Sequence, residues 1–189
     1  MNRLLIIGPQ GAGKGTQADL LCQDRQIPHV STGDLFRTNI SSGTELGRRV
    51  QAYISQGELV PDEVTQGMLT ARLSEPDAAH GFLLDGFPRT SAQAVWLTAE
   101  LDELHAPVDA VLLLTAPDEV LVRRMLGRGR GDDTVEAITN RLAIYHRETT
   151  PLIDYYGLRV CHVDGVGEVD EVAQRIRSAL DRQTQSEAG

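Results

Sequence analysis

A glycine-rich segment near the start of the chain carries the residue types that bind phosphate. It reads GPQGAGKGT over residues 8–16 and matches the pattern GxxxxGK. Its glycines let backbone N–H groups curl around a phosphate, and the N-terminus of a following helix adds positive charge. Lys14 supplies a mobile cation for the outer phosphates of a nucleotide. Because the segment follows an apolar run and precedes a helical one, we interpret it as a P-loop rather than a chance glycine-rich turn.

Lys14 is also the only lysine in the chain. The sequence has 18 lysine and arginine residues together, and all of the others are arginine. A general bias toward arginine does not explain why this position differs. A compact ammonium suits a P-loop better than a planar guanidinium does, so the exception supports the interpretation.

Asp85 and Arg89 form a second group with suitable chemistry. Asp85 ends the apolar run GFLLD (residues 81–85), and Arg89 follows in a turn that contains Gly86 and Pro88. A carboxylate at the end of a buried strand can hold Mg²⁺, usually through water, although a turn-capping Asp explains this residue equally well. The planar guanidinium of Arg89 suits phosphate oxygens.

Arginines are concentrated in one short stretch further along the chain. Arg123, Arg124, Arg128 and Arg130 lie beside glycines, and Arg141 follows on the next predicted helix. A single arginine is usually a solvated surface charge, and we assign that role to Arg123. Together the others predict a flap that clamps phosphates, because phosphoryl transfer needs positioned cations and little covalent chemistry.

The elements that would position these residues alternate between strands and helices. The predicted strands cover residues 4–7, 29–30, 81–85, 110–115 and 159–163; the predicted helices cover 14–25, 91–104, 117–126, 134–156 and 168–183, with several short helices between residues 31 and 74. This alternation predicts an α/β fold whose parallel sheet has helices on both faces. Ligands bind beyond the carboxyl ends of such strands, so the loops that follow them should share one rim.

Composition limits the other possibilities. A chain of 189 residues suits a single domain over residues 1–189, and a net charge of −9 makes nucleic acid a poor partner. No apolar run approaches the roughly 20 residues of a membrane-spanning helix, and the strand-like start leaves no room for a signal peptide. We therefore expect a cytoplasmic protein without a membrane partner. Cys22 and Cys161 fit no zinc or redox spacing, and the five histidines form no cluster.

Several motifs, in order along nearly the whole chain, resemble those of the adenylate kinases. They are GAGKGT (11–16), STGDLFR (31–37), GTELG (43–47), GELVP (57–61), GFLLDGFPR (81–89) followed by Gln93, and DDT (132–134). The resemblance implies the P-loop nucleoside monophosphate kinase fold with a five-stranded parallel sheet, an AMP-binding insertion at residues 31–60 and a short lid at residues 127–137. It also implies a monomer that transfers a phosphoryl group reversibly from MgATP to AMP, giving two ADP.

The same resemblance assigns residues to each nucleotide. The expected ATP contacts are Gly11, Ala12, Gly13, Lys14, Gly15, Thr16, Arg128 and Gly167. The expected AMP contacts are Thr32, Arg37, Glu58, Leu59, Val60, Gly86, Phe87, Pro88, Arg89, Gln93, Arg130 and Arg141. The expected catalytic residues are Lys14, Arg89, Arg124, Arg128, Arg130 and Arg141. Gln93 would read the adenine edge of AMP, Arg124 would stabilise the transferring phosphoryl group, and Asp85 would hold Mg²⁺ through water.

The chain departs from the general P-loop pattern at one point, which it shares with the adenylate kinases, and from the pattern of that family at two. Most P-loops have Ser or Thr after the lysine, and here Gly15 takes that position, so direct Mg²⁺ ligation is missing or moves to Thr16. The family commonly has proline where this chain has Gln10. The predicted lid is short and lacks the four cysteines that bind zinc in some members, so we expect no structural zinc.

Two alternatives keep a P-loop and change its use. A kinase acting on UMP or CMP would share the chemistry, and only the resemblance at Thr32 and Gln93 favours AMP. A switch GTPase would need an Asn-Lys-x-Asp element to read guanine, which a chain with Lys14 as its only lysine cannot form. Its DxxG motif is also absent, because the matching segment reads DGFP over residues 85–88.

Overall fold

The computed structural model describes the backbone of residues 2–187 and the side chains of residues 2–185. Met1, Ala188 and Gly189, which belong to the predicted domain 1–189, lie outside the described residues. No helix within the described range is long and apolar enough to cross a membrane.

The described residues form one five-stranded sheet in the order β2-β3-β1-β4-β5. The strands are β1 (Arg3–Ile7), β2 (His29–Ser31), β3 (Phe82–Asp85), β4 (Ala110–Thr115) and β5 (Val160–Asp164). Every neighbouring pair is parallel. The predicted parallel sheet is therefore confirmed, and all five strands deliver their following loops to the same edge.

The helices run between the strands. They are α1 (Lys14–Arg25), α2 (Thr32–Ser41), α3 (Glu45–Gln56), α4 (Asp62–Leu73), α5 (Ser91–Glu103), α6 (Asp118–Gly127), α7 (Val135–Ile144), α8 (Leu152–Tyr156) and α9 (Val169–Glu187). Short 3₁₀ turns occur at Pro76–Ala78 and Gly157–Arg159.

Two hydrophobic clusters show that helices cover both faces of the sheet, as predicted. Successive residues of a strand point to opposite faces, and β1 follows this rule. Leu4 and Ile6 belong to one cluster, which includes residues of α1, α6 and α9. Leu5 and Ile7 belong to the other, which includes residues of α4, α5 and α8. Burial on both faces fixes β1 at the centre of the sheet, with the P-loop segment leaving its carboxyl end.

The prediction of one helix over residues 134–156 is wrong. Helix α7 ends at Ile144, a π-helical turn follows at Tyr145–Thr149, and α8 begins after Pro151. Proline has no N–H to donate and its ring obstructs the preceding turn, so a regular helix cannot continue through it. The backbone N–H of Thr150 instead donates to Tyr145 O at 3.0 Å. Wide turns of this kind often occur at functional sites.

Candidate active site

The loops at the carboxyl ends of the strands surround a cleft of about 690 Å³. With one exception, the side chains or backbone of every predicted site residue line it: Gly11, Ala12, Gly13, Lys14, Gly15, Thr16, Thr32, Arg37, Glu58, Leu59, Val60, Asp85, Gly86, Phe87, Arg89, Gln93, Arg124, Arg128, Arg130, Arg141 and Gly167. The exception is Pro88, which lines an adjoining cavity of about 40 Å³. The cleft therefore brings together residues from most of the length of the chain.

The P-loop segment packs closely against β4 and α6 at positions that only glycine can occupy. Gly8 has φ +142°, and a Cβ there would lie 2.2 Å from Leu114 O. Gly11 has φ +87°, and its Cβ would lie 2.8 Å from Leu121 O. The following helix α1 begins without a hydrogen-bonding side-chain cap among the described residues. Its first N–H groups are therefore available to an anion in the cleft.

Lys14 lies at the centre of this loop. Its Nζ donates to Gly8 O at 2.8 Å and to Pro9 O at 3.0 Å, so neutral carbonyls hold the ammonium in place. Burial lowers the pKa of Lys14 from its ordinary 10.5 to about 8; Asp85 opposes the change, while nearby arginines such as Arg89 add to it. The low pKa comes chiefly from the burial of the ammonium, and a bound phosphate would favour its charged form.

The turn after β3 holds Arg89 from several sides. Arg89 Nε donates to Gly86 O at 2.7 Å, and the backbone N–H of Arg89 donates to Gln93 Oε1 at 2.8 Å. Thr149, in the π-helical turn, donates its hydroxyl to Arg89 O at 2.8 Å. The π-helical turn, which was not predicted from the sequence, therefore stabilises the turn that contains Arg89. Burial lowers the pKa of Arg89, and Arg141 and Arg37 add to the effect against Asp85.

Asp85 is a largely buried carboxylate at the edge of the cleft, with 8% of the residue exposed. Its Oδ2 lies 3.6 Å from His29 Nε2, while His29 Nδ1 lies 2.8 Å from Asp19 Oδ1. Burial opposes protonation of His29, but the two carboxylates outweigh it and raise the pKa of the imidazole. Sequence reasoning did not connect His29 with this site, because an isolated histidine carries no spacing signal.

A single carboxylate facing an anion-binding loop fits Mg²⁺ better than it fits a metal held by protein alone. Mg²⁺ usually keeps several waters and binds through one or two carboxylates together with substrate phosphates. Asp85 could supply that carboxylate. Among the described residues, no group of three or more His, Cys, Asp and Glu side chains could hold a metal ion.

Arg124 connects the P-loop segment to the loop after β5. Its Nη1 donates to Gly165 O at 3.0 Å and to Gly11 O at 3.4 Å. Gly165 fits closely, because a Cβ there would lie 2.8 Å from Ala12 O. The sequence analysis did not identify Gly165, although it lies two residues before the predicted contact Gly167. Arg123, the neighbour of Arg124, is exposed, as expected for a surface charge.

Arg128 and Arg141 are paired with carboxylates of the Gly-rich segment, which we define as residues 127–137. Arg128 donates to Asp133 through Nε at 2.5 Å and Nη2 at 2.8 Å. Arg141 donates to Asp133 Oδ1 at 2.8 Å and also to Asp132. Burial opposes ionisation of Asp133, but both arginines lower its pKa. Arg141 Nη2 also donates to Ile54 O at 3.0 Å, which ties the segment to α3.

Arg130 and Arg37 bring two further cations to the cleft. Arg130 is an exposed residue overall. Partial burial of its guanidinium lowers its pKa, and the positive charges of Arg37 and Arg128 lower it further. Arg37 donates to Asp34 at 2.5 Å on the surface of α2. These cations face the end of the cleft that α2 and α4 form, opposite the loop after β5.

That end of the cleft contains a buried amide. Gln93 lies in the first turn of α5, which begins where Thr90 Oγ1 accepts from Gln93 N–H at 3.2 Å. Only 3% of Gln93 is exposed. Its Nε2 donates to Asp62 Oδ1 at 2.7 Å, while its Oε1 accepts from the Arg89 N–H. Buried Thr32 and Thr65 line the cleft nearby.

The arrangement suits the transfer of a charged group between two bound anions. The backbone of the P-loop, the Lys14 ammonium, the buried Gln93 amide and several arginines all line one cleft. Positioned cations of this kind stabilise charge that spreads over phosphoryl oxygens. The reaction needs no side-chain nucleophile when the acceptor itself carries a phosphate oxygen.

Comparisons with known proteins identify relatives over nearly the whole chain. The family model described as adenylate kinase matches residues 6–160. The adenylate kinase of Nocardia farcinica is 54% identical over 180 residues, covering 95% of this chain and 99% of the relative. That of Corynebacterium urealyticum is 53% identical with the same coverage, and that of Clavibacter michiganensis is 53% identical over 95% of this chain and 93% of its own length.

Proposed function

Because the chain belongs to the adenylate kinase family of nucleotide phosphotransferases, we propose that it transfers the γ-phosphoryl group of MgATP reversibly to AMP, giving MgADP and ADP. A single observation carries the proposal: the Lys14 loop, Arg89 and the buried Gln93 amide all line one cleft. We infer a donor end at the Lys14 loop and an acceptor end at Gln93, so that two bound nucleotides would meet through their phosphates. Such a reaction would keep the adenine nucleotides in balance.

The donor end suits ATP. The N–H groups of Gly11 to Thr16 would surround its phosphates, and Lys14 would contact the outer ones. Gly167 lies in the loop after β5, where Arg175 Nη1 donates to Asp164 O at 2.9 Å and so supports the loop. The adenine of ATP would lie against this loop. Arg128 would contact the phosphates from above, after leaving Asp133.

The acceptor end suits AMP, and the proposed insertion at residues 31–60 would form part of it. The residues proposed to contact AMP at this end are Thr32, Arg37, Glu58, Leu59, Val60, Gly86, Phe87, Pro88, Arg89, Gln93, Arg130 and Arg141. Arg89, Arg130 and Arg141 would bind the phosphate of AMP, and Gln93 would bind its adenine edge.

The transfer step would be direct. A phosphate oxygen of AMP attacks the γ-phosphorus of ATP as the bond to the β–γ bridging oxygen breaks, and the bridging oxygen leaves with ADP. Lys14, Arg89 and Arg124 would stabilise the charge on the transferring group. The proposed lid at residues 127–137 would close over the phosphates and exclude water, which would otherwise accept the phosphoryl group.

Mg²⁺ would bind with ATP near Asp85, through water, and would neutralise charge on the β- and γ-phosphates. Asp85 is suited to orient the hydration shell of such an ion because its carboxylate is largely buried and fixed at the end of β3. Gly15 offers no hydroxyl to the ion, and Thr16 is exposed at the start of α1.

A panel of nucleoside monophosphates tests the acceptor. With ATP as donor, a coupled assay that detects ADP should give a higher kcat/KM for AMP than for UMP, CMP or GMP. Faster turnover of UMP or CMP would contradict the proposal and favour a pyrimidine nucleotide kinase. Both reactions use the same P-loop chemistry, so only the acceptor comparison separates them.

We also propose that the enzyme is a cytoplasmic monomer with nucleotides as its partners and no nucleic-acid or membrane partner. The net charge of −9 disfavours binding to other polyanions. The predicted site residues all come from this chain, so the proposed reaction needs no residue from a second copy. Sedimentation that gave twice the chain mass at working concentration would contradict the monomer.

A further inference from the structure

The side-chain amide of Gln93 has its orientation fixed by two neighbours of opposite character. The Arg89 backbone N–H is only a donor, so the atom that faces it at 2.8 Å must be the amide oxygen. The Asp62 carboxylate is only an acceptor, so the atom that faces it at 2.7 Å must be the amide nitrogen. Rotating the amide by half a turn would place donor against donor and acceptor against acceptor. Both neighbours therefore oppose the same rotation.

These bonds leave a defined capacity for a ligand. An amide oxygen accepts two hydrogen bonds and an amide NH₂ donates two. One of each is already used, so one acceptor site and one donor site remain on a residue that lines the cleft. Because Gln93 is only 3% exposed, a bound base that failed to match them would leave buried polar groups unpaired.

We propose that Asp62 is a positioning residue that makes the acceptor site select bases carrying an amino group beside a ring nitrogen acceptor. Adenine presents this pattern through its N6 amino group and N1. Hypoxanthine and guanine present the reverse, a carbonyl oxygen beside a ring N–H. The inference rests on the proposed function, since it concerns the base of the monophosphate that the site would bind.

Asp62 and Glu63 provide a matched pair for the test. Both are acidic residues in the first turn of α4, where either charge stabilises the helix. Glu63 is exposed, whereas Asp62 is partly buried and contacts Gln93. Asp62→Ala and Glu63→Ala thus remove the same charge from the same helix end, and only the first removes a restraint on the amide.

IMP is the appropriate probe, because hypoxanthine has nearly the shape of adenine with the donor and acceptor reversed. The measurement is kcat/KM for AMP divided by kcat/KM for IMP, with ATP as donor. In Asp62→Ala, Gln93 keeps only the Arg89 bond, and we expect the ratio to fall about tenfold, mainly through a higher KM for AMP. Glu63→Ala should keep the ratio within about twofold of the parent.

Asp62→Asn provides a second variant that retains the helix with nearly the same side-chain shape. Its amide can accept from Gln93 in one orientation and donate in the other, so we expect a ratio between those of the parent and Asp62→Ala. A ratio unchanged in both Asp62 variants, or lowered equally by Glu63→Ala, would overturn the inference. If the parent phosphorylated neither AMP nor IMP, the proposed function itself would fail; good AMP turnover with an unchanged ratio in the variants would overturn the Asp62 inference alone.

Discussion

The P-loop and the Gly-rich segment both present cations to the cleft, but they hold those cations differently. Lys14 donates to the backbone carbonyls of Gly8 and Pro9, and Arg124 likewise donates to backbone carbonyls. Around the Gly-rich segment, Arg128 and, from α7, Arg141 donate to the carboxylates of Asp132 and Asp133. One region holds its charges with neutral groups, and the other holds them with opposite charges.

This difference separates a fixed part of the site from an exchangeable part. Carbonyls position a cation without neutralising it, so the P-loop keeps a positive field ready for phosphate. Carboxylates neutralise the arginines, and a phosphate must share or replace those partners before the arginines can clamp it. We therefore expect substitutions at the carbonyl-held cations to affect chemistry, and substitutions at the carboxylates to affect stability and affinity.

The largest effect should follow Lys14→Ala. The variant should lose at least about three orders of magnitude in kcat, because the ammonium acts on charge that develops in the transition state. The variant should still fold, because the described hydrogen bonds of Lys14 Nζ go only to the backbone carbonyls of Gly8 and Pro9. Steady-state kinetics and a thermal melt measure both effects.

Lys14→Arg should fail nearly as severely, because a planar guanidinium does not fit between the carbonyls of Gly8 and Pro9. Turnover close to that of the parent in either Lys14 variant would contradict the proposed role of Lys14 in the chemical step. The P-loop could then no longer be described as the fixed, catalytic part of the site.

Arg89→Ala should have the next largest effect and should affect AMP more than ATP. We expect kcat/KM for AMP to fall about 100-fold or more, since Arg89 is half-buried, lines the cleft and offers two donors to phosphate. Arg123→Ala is the matched control, because Arg123 is exposed and should change neither parameter by more than about twofold. Equal losses for the two substrates would show that Arg89 is not specific to the acceptor end.

The pH dependence should reflect the fixed cation. Burial lowers the pKa of Lys14 to about 8 in the free protein, and in the proposed mechanism the protonated form binds phosphate. The kcat/KM for ATP should therefore fall as pH rises through about 8, approaching tenfold per pH unit. Bound phosphate raises the pKa of the ammonium, so kcat should hold to higher pH. A kcat/KM profile that stays flat to pH 10 would contradict this description of Lys14.

Asp133→Asn should have the smallest effect on chemistry. We expect kcat to change less than about tenfold, and the free energy of unfolding to fall by about 1–3 kcal/mol because Arg128 and Arg141 lose a largely buried carboxylate partner. The native carboxylate has a lowered pKa, so its stabilising contribution is present above the ordinary pKa of 3.8 and is lost as pH falls through the native value.

Glu136→Gln is the control for Asp133→Asn, because Glu136 is exposed on the first turn of α7 and carries the same charge. Its melting temperature and kcat should match those of the parent. If Asp133→Asn lowered kcat as strongly as Arg89→Ala, the carboxylates would belong to the fixed part of the site, and the distinction between the two regions would fail.

Local signals in the sequence predict the fixed part of the site well. The P-loop can be identified because glycine, lysine and an adjoining helix all lie within residues 8–25, and Asp85 ends a short apolar run. The parallel sheet follows from the alternation of apolar runs with helices. In each case the physical cause acts between residues that are close in sequence.

The rest depends on contacts between distant residues. Asp62 meets Gln93 across 31 positions, and Arg141 meets Ile54 across 87, with no pattern at either partner to indicate the pairing. The break after Ile144 was missed although Pro151 signals it, because the helical pattern on both sides concealed the interruption. Its consequence, the Thr149 bond to Arg89, could be recognised only from the fold.

A crystal structure with a bisubstrate analogue that joins two adenosines through a pentaphosphate would test the central claim most directly. We expect one adenine against Gln93, the other beside the loop that contains Gly167, and the phosphate chain running from Lys14 to Arg89. Arg128 should have turned from Asp133 toward the phosphates, while Lys14 should remain against the P-loop carbonyls. An analogue whose adenine avoids Gln93, or whose phosphates bypass the Lys14 loop, would contradict the two-ended cleft.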